Sequence, residues 1–175
     1  MEHSLNGEDA TTSALEAADL RHPDVLFASA LGVGYLRPAP GTWGSAAAVL
    51  VWWFWLSAYS PFVQLAICAA YFAIGWWCSS RICRRHGVAD APQIVADEVA
   101  GMWLALAFLP TIWWLALIAF ALFRALDILK PGPIGWLDRE LKGGLGVMAD
   151  DVLAGIAAGI VLYLSVWLML GPVNP

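Results

Sequence analysis

Charge, histidine and cysteine are all scarce in this chain, and each shortage removes a class of protein. Only 13% of the 175 residues are charged. The three histidines, His3, His22 and His86, form no cluster. A histidine-dependent phosphatase or a Ser/His/Asp hydrolase is therefore not expected, and no His, Cys or Met group offers a soft metal site. Cys68, Cys78 and Cys83 contain no CxxC pair; they read as core or lipid-facing thiols, without a disulfide framework or zinc site. The start is acidic and lacks a basic segment leading into an apolar core, so no cleavable signal peptide is expected.

What is abundant is apolar surface. Hydrophobic residues make up 61% of the chain and mean hydropathy is +0.70, against about 45–50% apolar residues in soluble domains. The net charge of -5 belongs to one end: residues 1–24 hold six acids and Arg21, while residues 25–175 hold eight acids and eight bases. The low pI therefore does not argue for basic partners, and no nucleic-acid partner is expected. Residues 1–24 read as an acidic, disordered or weakly helical tail, and 25–175 as one membrane-embedded domain.

Five segments are long and apolar enough to cross a bilayer: about 44–59, 61–80, 92–109, 111–129 and 148–170. The expected fold is an all-α, polytopic transmembrane bundle of about five spans. A shorter stretch, Val25–Leu36, suits an interfacial or re-entrant helix. Ser60-Pro61 and Leu109-Pro110-Thr111 break the apolar runs into hairpins, because proline disfavours helix in the preceding residue. In this topology Arg37, Arg81, Arg84, Arg85, Arg124, Lys130, Arg139 and Lys142 share one side and the opposite hairpin turns carry no charge. The positive-inside rule makes the charged side cytoplasmic. Trp52, Trp53, Trp55, Trp113 and Trp114 are expected at the outer interface, and Trp76 and Trp77 at the inner one.

The same topology brings Asp97, Glu98, Arg124, Asp127, Asp138, Asp150 and Asp151 to the cytoplasmic interface, and acids beside lipid-facing elements are functional-site candidates. Asp97 and Glu98 open a span, where acids also complement the helix dipole. Arg124 and Asp127, spaced i, i+3, share a helix face and read either as a salt bridge or as part of a site for phosphate and metal. Asp138-Arg139 lies in a polar loop running into Gly143, Gly144 and Gly146, whose backbone can approach an anion. Asp150-Asp151 would repel unless a cation or base sits between them. Pro40-Gly-Thr-Trp-Gly-Ser45 offers Thr42 and Ser45 at a helix start, as an anion seat or a plain cap. The basic run Arg81–His86 reads as an anionic-lipid contact. Hard cations such as Mg²⁺ suit this all-oxygen donor set.

Several of these stretches, in order, resemble the phosphatidylglycerophosphatase A family: Pro40–Ser45, Ile94–Glu98 with Gly101-Met-Trp, Phe123–Ile134, Leu137–Arg139, and Gly143–Asp151 with Ala154-Gly155. The resemblance covers about residues 26–165. It implies a multi-pass phosphatase of the bacterial inner membrane that requires Mg²⁺ and converts phosphatidylglycerol phosphate to phosphatidylglycerol. Mapped onto the motifs, Asp97, Glu98, Asp127, Asp150 and Asp151 are candidate catalytic and metal residues, and Arg124 a catalytic cation. Thr42, Ser45, Lys130, Asp138, Arg139, Gly143 and Gly144 are candidates for substrate binding. A metal-activated water is preferred as nucleophile, with a phospho-aspartate on Asp127 or Asp150 as the other route. The rival readings are a cation-coupled transporter, which needs acids near mid-bilayer, a lipid phosphotransferase, whose DGxxAR run is missing, and a structural protein, which needs no converging acids.

Overall fold

The computed structural model describes residues 15–88, 90–141 and 143–171; the acidic stretch up to residue 14 and Lys142 lie outside them. Among the described residues the fold is all-helical, with no strand. After a short 3₁₀ helix at Ala17–Arg21 come α1 (Pro23–Ala28), α2 (Pro40–Phe54), α3 (Pro61–His86), α4 (Ala96–Leu106), α5 (Trp113–Leu129), α6 (Pro133–Glu140) and α7 (Gly143–Leu170). Proline at the first helical position opens α1, α2, α3 and α6, where its missing N–H and fixed φ do no harm. Gly87, with φ 68°, ends α3, and Pro110 follows α4.

The five longer helices run alternately up and down. Near the C-terminal end of α2, Trp52 Nε1 donates to Gln64 Oε1 of α3 at 2.8 Å. Phe62, Phe108 and Tyr163 pack ring on ring at that same end. At the other end, Gly41 of α2 lies against Glu98 of α4 and Arg124 of α5. The helix ends that carry charge therefore meet at one end of the bundle, and the hairpins at 55–60 and 107–112 form the uncharged end.

Helix α4 is the hub, packed on α7, α2, α3 and α5. Its Ala96, Val99, Ala100, Met102, Trp103, Ala105 and Leu106 are all buried. The outer helices turn apolar side chains outward: Phe54, Phe62, Trp77, Trp113, Leu129, Leu168 and Met169 are exposed. Polar Ser45, Gln64, Ser79, Asp150 and Asp151 are buried. A large continuous apolar exterior marks a surface that meets lipid or protein.

Two helices, α3 and α7, are long and apolar enough to cross a membrane by themselves. At about 1.5 Å per residue they reach roughly 39 and 42 Å, whereas α2, α4 and α5 reach about 22, 16 and 26 Å. The segment expected to span at 92–109 is shortened because its start is extended: Val95 N–H bonds to the Ala28 carbonyl at 2.9 Å, and helix begins only at Ala96. The glycines at 143–146 are the first turn of α7 rather than a loop, and Asp138 and Arg139 lie on α6. Trp52 is buried by its bond to Gln64 instead of sitting in an interfacial belt. Within the stretch expected as a tail, residues 15–24 pack on the domain: Leu15 is buried with its N–H on Gln93 Oε1 at 3.0 Å, and buried Asp24 pairs with Arg81 and Arg85.

Candidate active site

Four helix ends and the segment leading into α4 build a cleft of about 200 Å³ at the charged end. The first turn of α4 supplies Asp97 and Glu98, the last turn of α5 supplies Asp127, and α7 supplies Asp150 and Asp151. Lys130, just past α5, and Asp138 of α6 complete the rim. Backbone contact fixes this assembly. A Cβ on Gly101 would lie 2.5 Å from the Asp151 carbonyl, and one on Gly155 would lie 2.1 Å from the Gly101 carbonyl. Any side chain at either glycine would wedge α4 and α7 apart.

The carboxylates fall into two groups. Asp127 Oδ2 is 2.5 Å from Arg124 Nη1, and Asp150 Oδ2 accepts from Lys130 Nζ at 2.6 Å. Lys130 also bonds Asp138. Burial works against the Lys130 ammonium, but these two carboxylates hold its pKa above the usual lysine value. Asp97, Glu98 and Asp151 form the other group: one oxygen from each lies within 4.8 Å of the others. Their compensation is thin. Glu98 Oε1 is 3.8 Å from Arg124 Nη1, and Asp97 Oδ1 accepts the Glu98 N–H at 3.0 Å. Glu98 Oε2, Asp151 Oδ2 and Arg124 Nε are buried with no hydrogen-bond partner there.

Among the described residues the wall of this half-buried site carries seven carboxylates (Asp90, Asp97, Glu98, Asp127, Asp138, Asp150 and Asp151) and one lysine, Lys130, a set that is electrostatically unbalanced unless a cation joins it. Converging oxygen donors with orphaned lone pairs fit a hard divalent ion. Arg124 behind the trio fits an anionic group on the same ion.

The sequence candidates divide accordingly. Asp97, Glu98, Asp127, Lys130, Asp138, Gly143, Asp150 and Asp151 line the cleft, and Arg124 backs it. Ser45 is buried and donates to the Gly41 carbonyl at 2.8 Å, as a helix-interior hydroxyl does. Thr42 sits half-buried in the first turn of α2 outside the cleft wall, and Arg139 is exposed on α6. Gly144 is pressed against Ser80, where a Cβ would lie 2.3 Å from the Ser80 N and Oγ, so close packing on α3 accounts for it. Asp90 lines the cleft and was not singled out by sequence. Its only signal was an acid in the loop just before Pro92, and no helix periodicity places such a residue. Gly41, in the stretch that offered an anion seat or a plain cap, makes a close contact: a Cβ there would lie 2.0 Å from Glu98 Oε1.

The family model for phosphatidylglycerophosphatase A matches residues 26–166, which include every residue lining the cleft. The chain is 41% identical over 157 residues to phosphatidylglycerophosphatase A of Haemophilus influenzae, covering 89% of this chain and 96% of that protein. It is 39% identical over 162 residues to phosphatidylglycerophosphatase A of Escherichia coli, covering 89% of each. No solved structure matches the chain. With identity at this level across nearly all of its length, the chain belongs to the phosphatidylglycerophosphatase A family.

Proposed function

We propose that the protein is a membrane lipid phosphatase that hydrolyses phosphatidylglycerol phosphate to phosphatidylglycerol and inorganic phosphate, a step of glycerophospholipid biosynthesis. One observation carries the chemistry: the carboxylates of Asp97, Glu98 and Asp151 converge within 4.8 Å beside Arg124. Family membership supplies the substrate. The exposed apolar helices support a multi-pass location in the bacterial inner membrane, with α3 and α7 crossing fully and α2, α4 and α5 embedded between them. The positive-inside rule turns the cleft to the cytoplasm.

Asp97, Glu98 and Asp151 are the residues that would hold Mg²⁺. Bound there, the ion supplies charge neutralisation at the phosphoryl oxygens and acidifies a coordinated water. The protein's own groups do the rest. Arg124, steadied by Asp127 and Glu98, offers guanidinium donors to the transferring phosphoryl group. Lys130 acts as a fixed cation rather than a proton donor, since Asp138 and Asp150 hold its proton in place. Water attacks phosphorus, the bond from phosphorus to the glycerol oxygen breaks, and that oxygen takes up a proton. Water is the better nucleophile here because Asp127 and Asp150 are each engaged by a cation, at 2.5 and 2.6 Å. Trapping a covalent phosphoenzyme from labelled substrate would overturn that preference. The transporter reading is not favoured, because the acids lie at one end of the helices instead of midway.

The test is phosphate release from phosphatidylglycerol phosphate by purified protein in detergent, with and without Mg²⁺. Release is expected only with the ion, and Asp151→Asn should lower it by about a hundredfold or more. Equal release by folded Asp151→Asn would remove the trio from the chemistry.

A further inference from the structure

A second recess lies at the same end of the bundle but on another face of α3. It measures about 400 Å³ and is shared by α1 and α3, within the roughly 300–1,000 Å³ range of small-molecule sites. Ile74, Trp77, Arg81 and Arg85 follow one another at helical spacing along its wall, and Phe27 faces them from α1. Gly75, by contrast, touches Met148 and Ala96 on the side toward the acid cleft. The two sites share no lining residue.

The recess is graded along the helix axis. Ile74 and Trp77, 47% and 57% exposed, form an apolar lower wall open to the surroundings. Above them the Arg81 guanidinium stacks 4.9 Å from the Trp77 ring centroid. Arg85 gives Nη1 and Nη2 to Asp24, at 3.3 and 2.6 Å. Among the described residues Arg81 reaches Asp24 through Nε alone, at 3.4 Å, and its side chain is 48% exposed. Among the described residues two guanidinium groups meet one carboxylate, leaving one positive charge at the top of an apolar wall. The acid cleft has the opposite excess.

We propose that this recess is a binding site for an anionic phospholipid other than the substrate, its phosphodiester on Arg81 and its acyl chains along Trp77 and Ile74. Charge complementarity selects the occupant: a zwitterionic lipid brings no net negative charge to offset the spare arginine, and free phosphate would leave the apolar wall unused. The site depends on the membrane placement proposed above but not on the phosphatase chemistry. Its consequence is that α1 and the cytoplasmic end of α3 are held in the headgroup layer beside the cleft.

Full-length protein is incorporated into nanodiscs containing phosphatidylserine and phosphatidylcholine in equal amounts. The lipids retained after transfer to detergent are then counted by native mass spectrometry. Retention of phosphatidylserine over phosphatidylcholine is expected, and Arg81→Gln should lower it about fivefold, the effect of one base near an anionic surface. Arg81→Lys should keep most of the preference, since charge and not fold is what the lipid reads. Arg84→Gln, an exposed neighbour outside the recess, should leave retention within about twofold, because a general surface field falls off with screening while a site does not. Equal losses in Arg81→Gln and Arg84→Gln would reduce the site to diffuse surface charge and overturn it. So would entry into nanodiscs without lipid preference, or loss of the retained lipid in Glu98→Gln, which would put that lipid in the acid cleft. Failure to enter nanodiscs would overturn the membrane placement and the lipid site together.

Discussion

Two charged regions sit at the same end of this bundle and balance their charges in opposite ways. Around Asp24, one buried carboxylate is met by Arg81 and Arg85, and the surplus is positive. In the cleft, seven carboxylates line a wall that carries one lysine among the described residues, with Arg124 behind. The first arrangement tethers an N-terminal segment and needs nothing more to be stable. The second leaves like charges close together without partners, and the proposed metal-assisted hydrolysis would draw on that unfinished quality. The lesson is that counting acids does not find such a site; finding acids without partners does.

Mutations can break this contrast. The largest effect should come from Asp97→Asn. Phosphate release should fall by about a hundredfold or more, while thermal stability in metal-free buffer should rise or hold, since a like-charge repulsion is relieved. A loss of stability without metal would mean that the trio is structural. Next in size is Gly41→Ala, whose new methyl would displace Glu98. Misplacement by about 1 Å can lower turnover by roughly a hundredfold, and the check is kcat on a variant whose helical circular dichroism is unchanged. Activity near the parent level would show that Glu98 tolerates the shift.

Lys130→Met tests the paired acids. It leaves Asp150 buried alone and should destabilise by about 1–2 kcal/mol, less than a fully buried pair because the Lys130 side chain is 33% exposed. Adding Asp150→Asn should recover stability in a denaturation series without recovering activity. If activity returned as well, Lys130 would be a scaffold residue only. The smallest effect concerns Asp24. Burial opposes its charge, but Arg85 and Arg81 hold its pKa below the ordinary carboxylate value. A depressed pKa contributes stability above the unfolded value of about 3.9, and that contribution is lost as pH falls through the folded value. Amide exchange in residues 15–28 should therefore quicken below about pH 4, and Asp24→Asn should remove that pH dependence. Exchange that stays slow would show that apolar packing alone holds the segment.

Much of this could be read from the chain before its structure was known. The prolines at 61 and 110 and the bare hairpins were enough to bring Asp97, Glu98, Asp127, Asp150 and Asp151 to one end, because topology follows from chain breaks and charge asymmetry. Pairing could not be read. Whether Lys130 meets Asp138 and Asp150, or Asp24 meets residues 57 and 61 positions away, depends on how helices pack, and no local pattern encodes it. The start of α4 was displaced for the same reason, since a single hydrogen bond from Val95 to distant Ala28 keeps residues 92–95 out of the helix. Ser45 marks another limit, because a hydroxyl near a helix start looks the same whether it faces a ligand or its own backbone.

The contact of Gly101 with Gly155 and Asp151 has a last consequence. Where α4 and α7 touch through main chain alone, no rotamer is left to absorb a change in spacing. If the proposed cation is held there, main-chain contact and not side-chain rotamers would set the gap between Glu98 and Asp151. Selectivity among divalent ions would be written in two glycines that bear no charge and touch no metal.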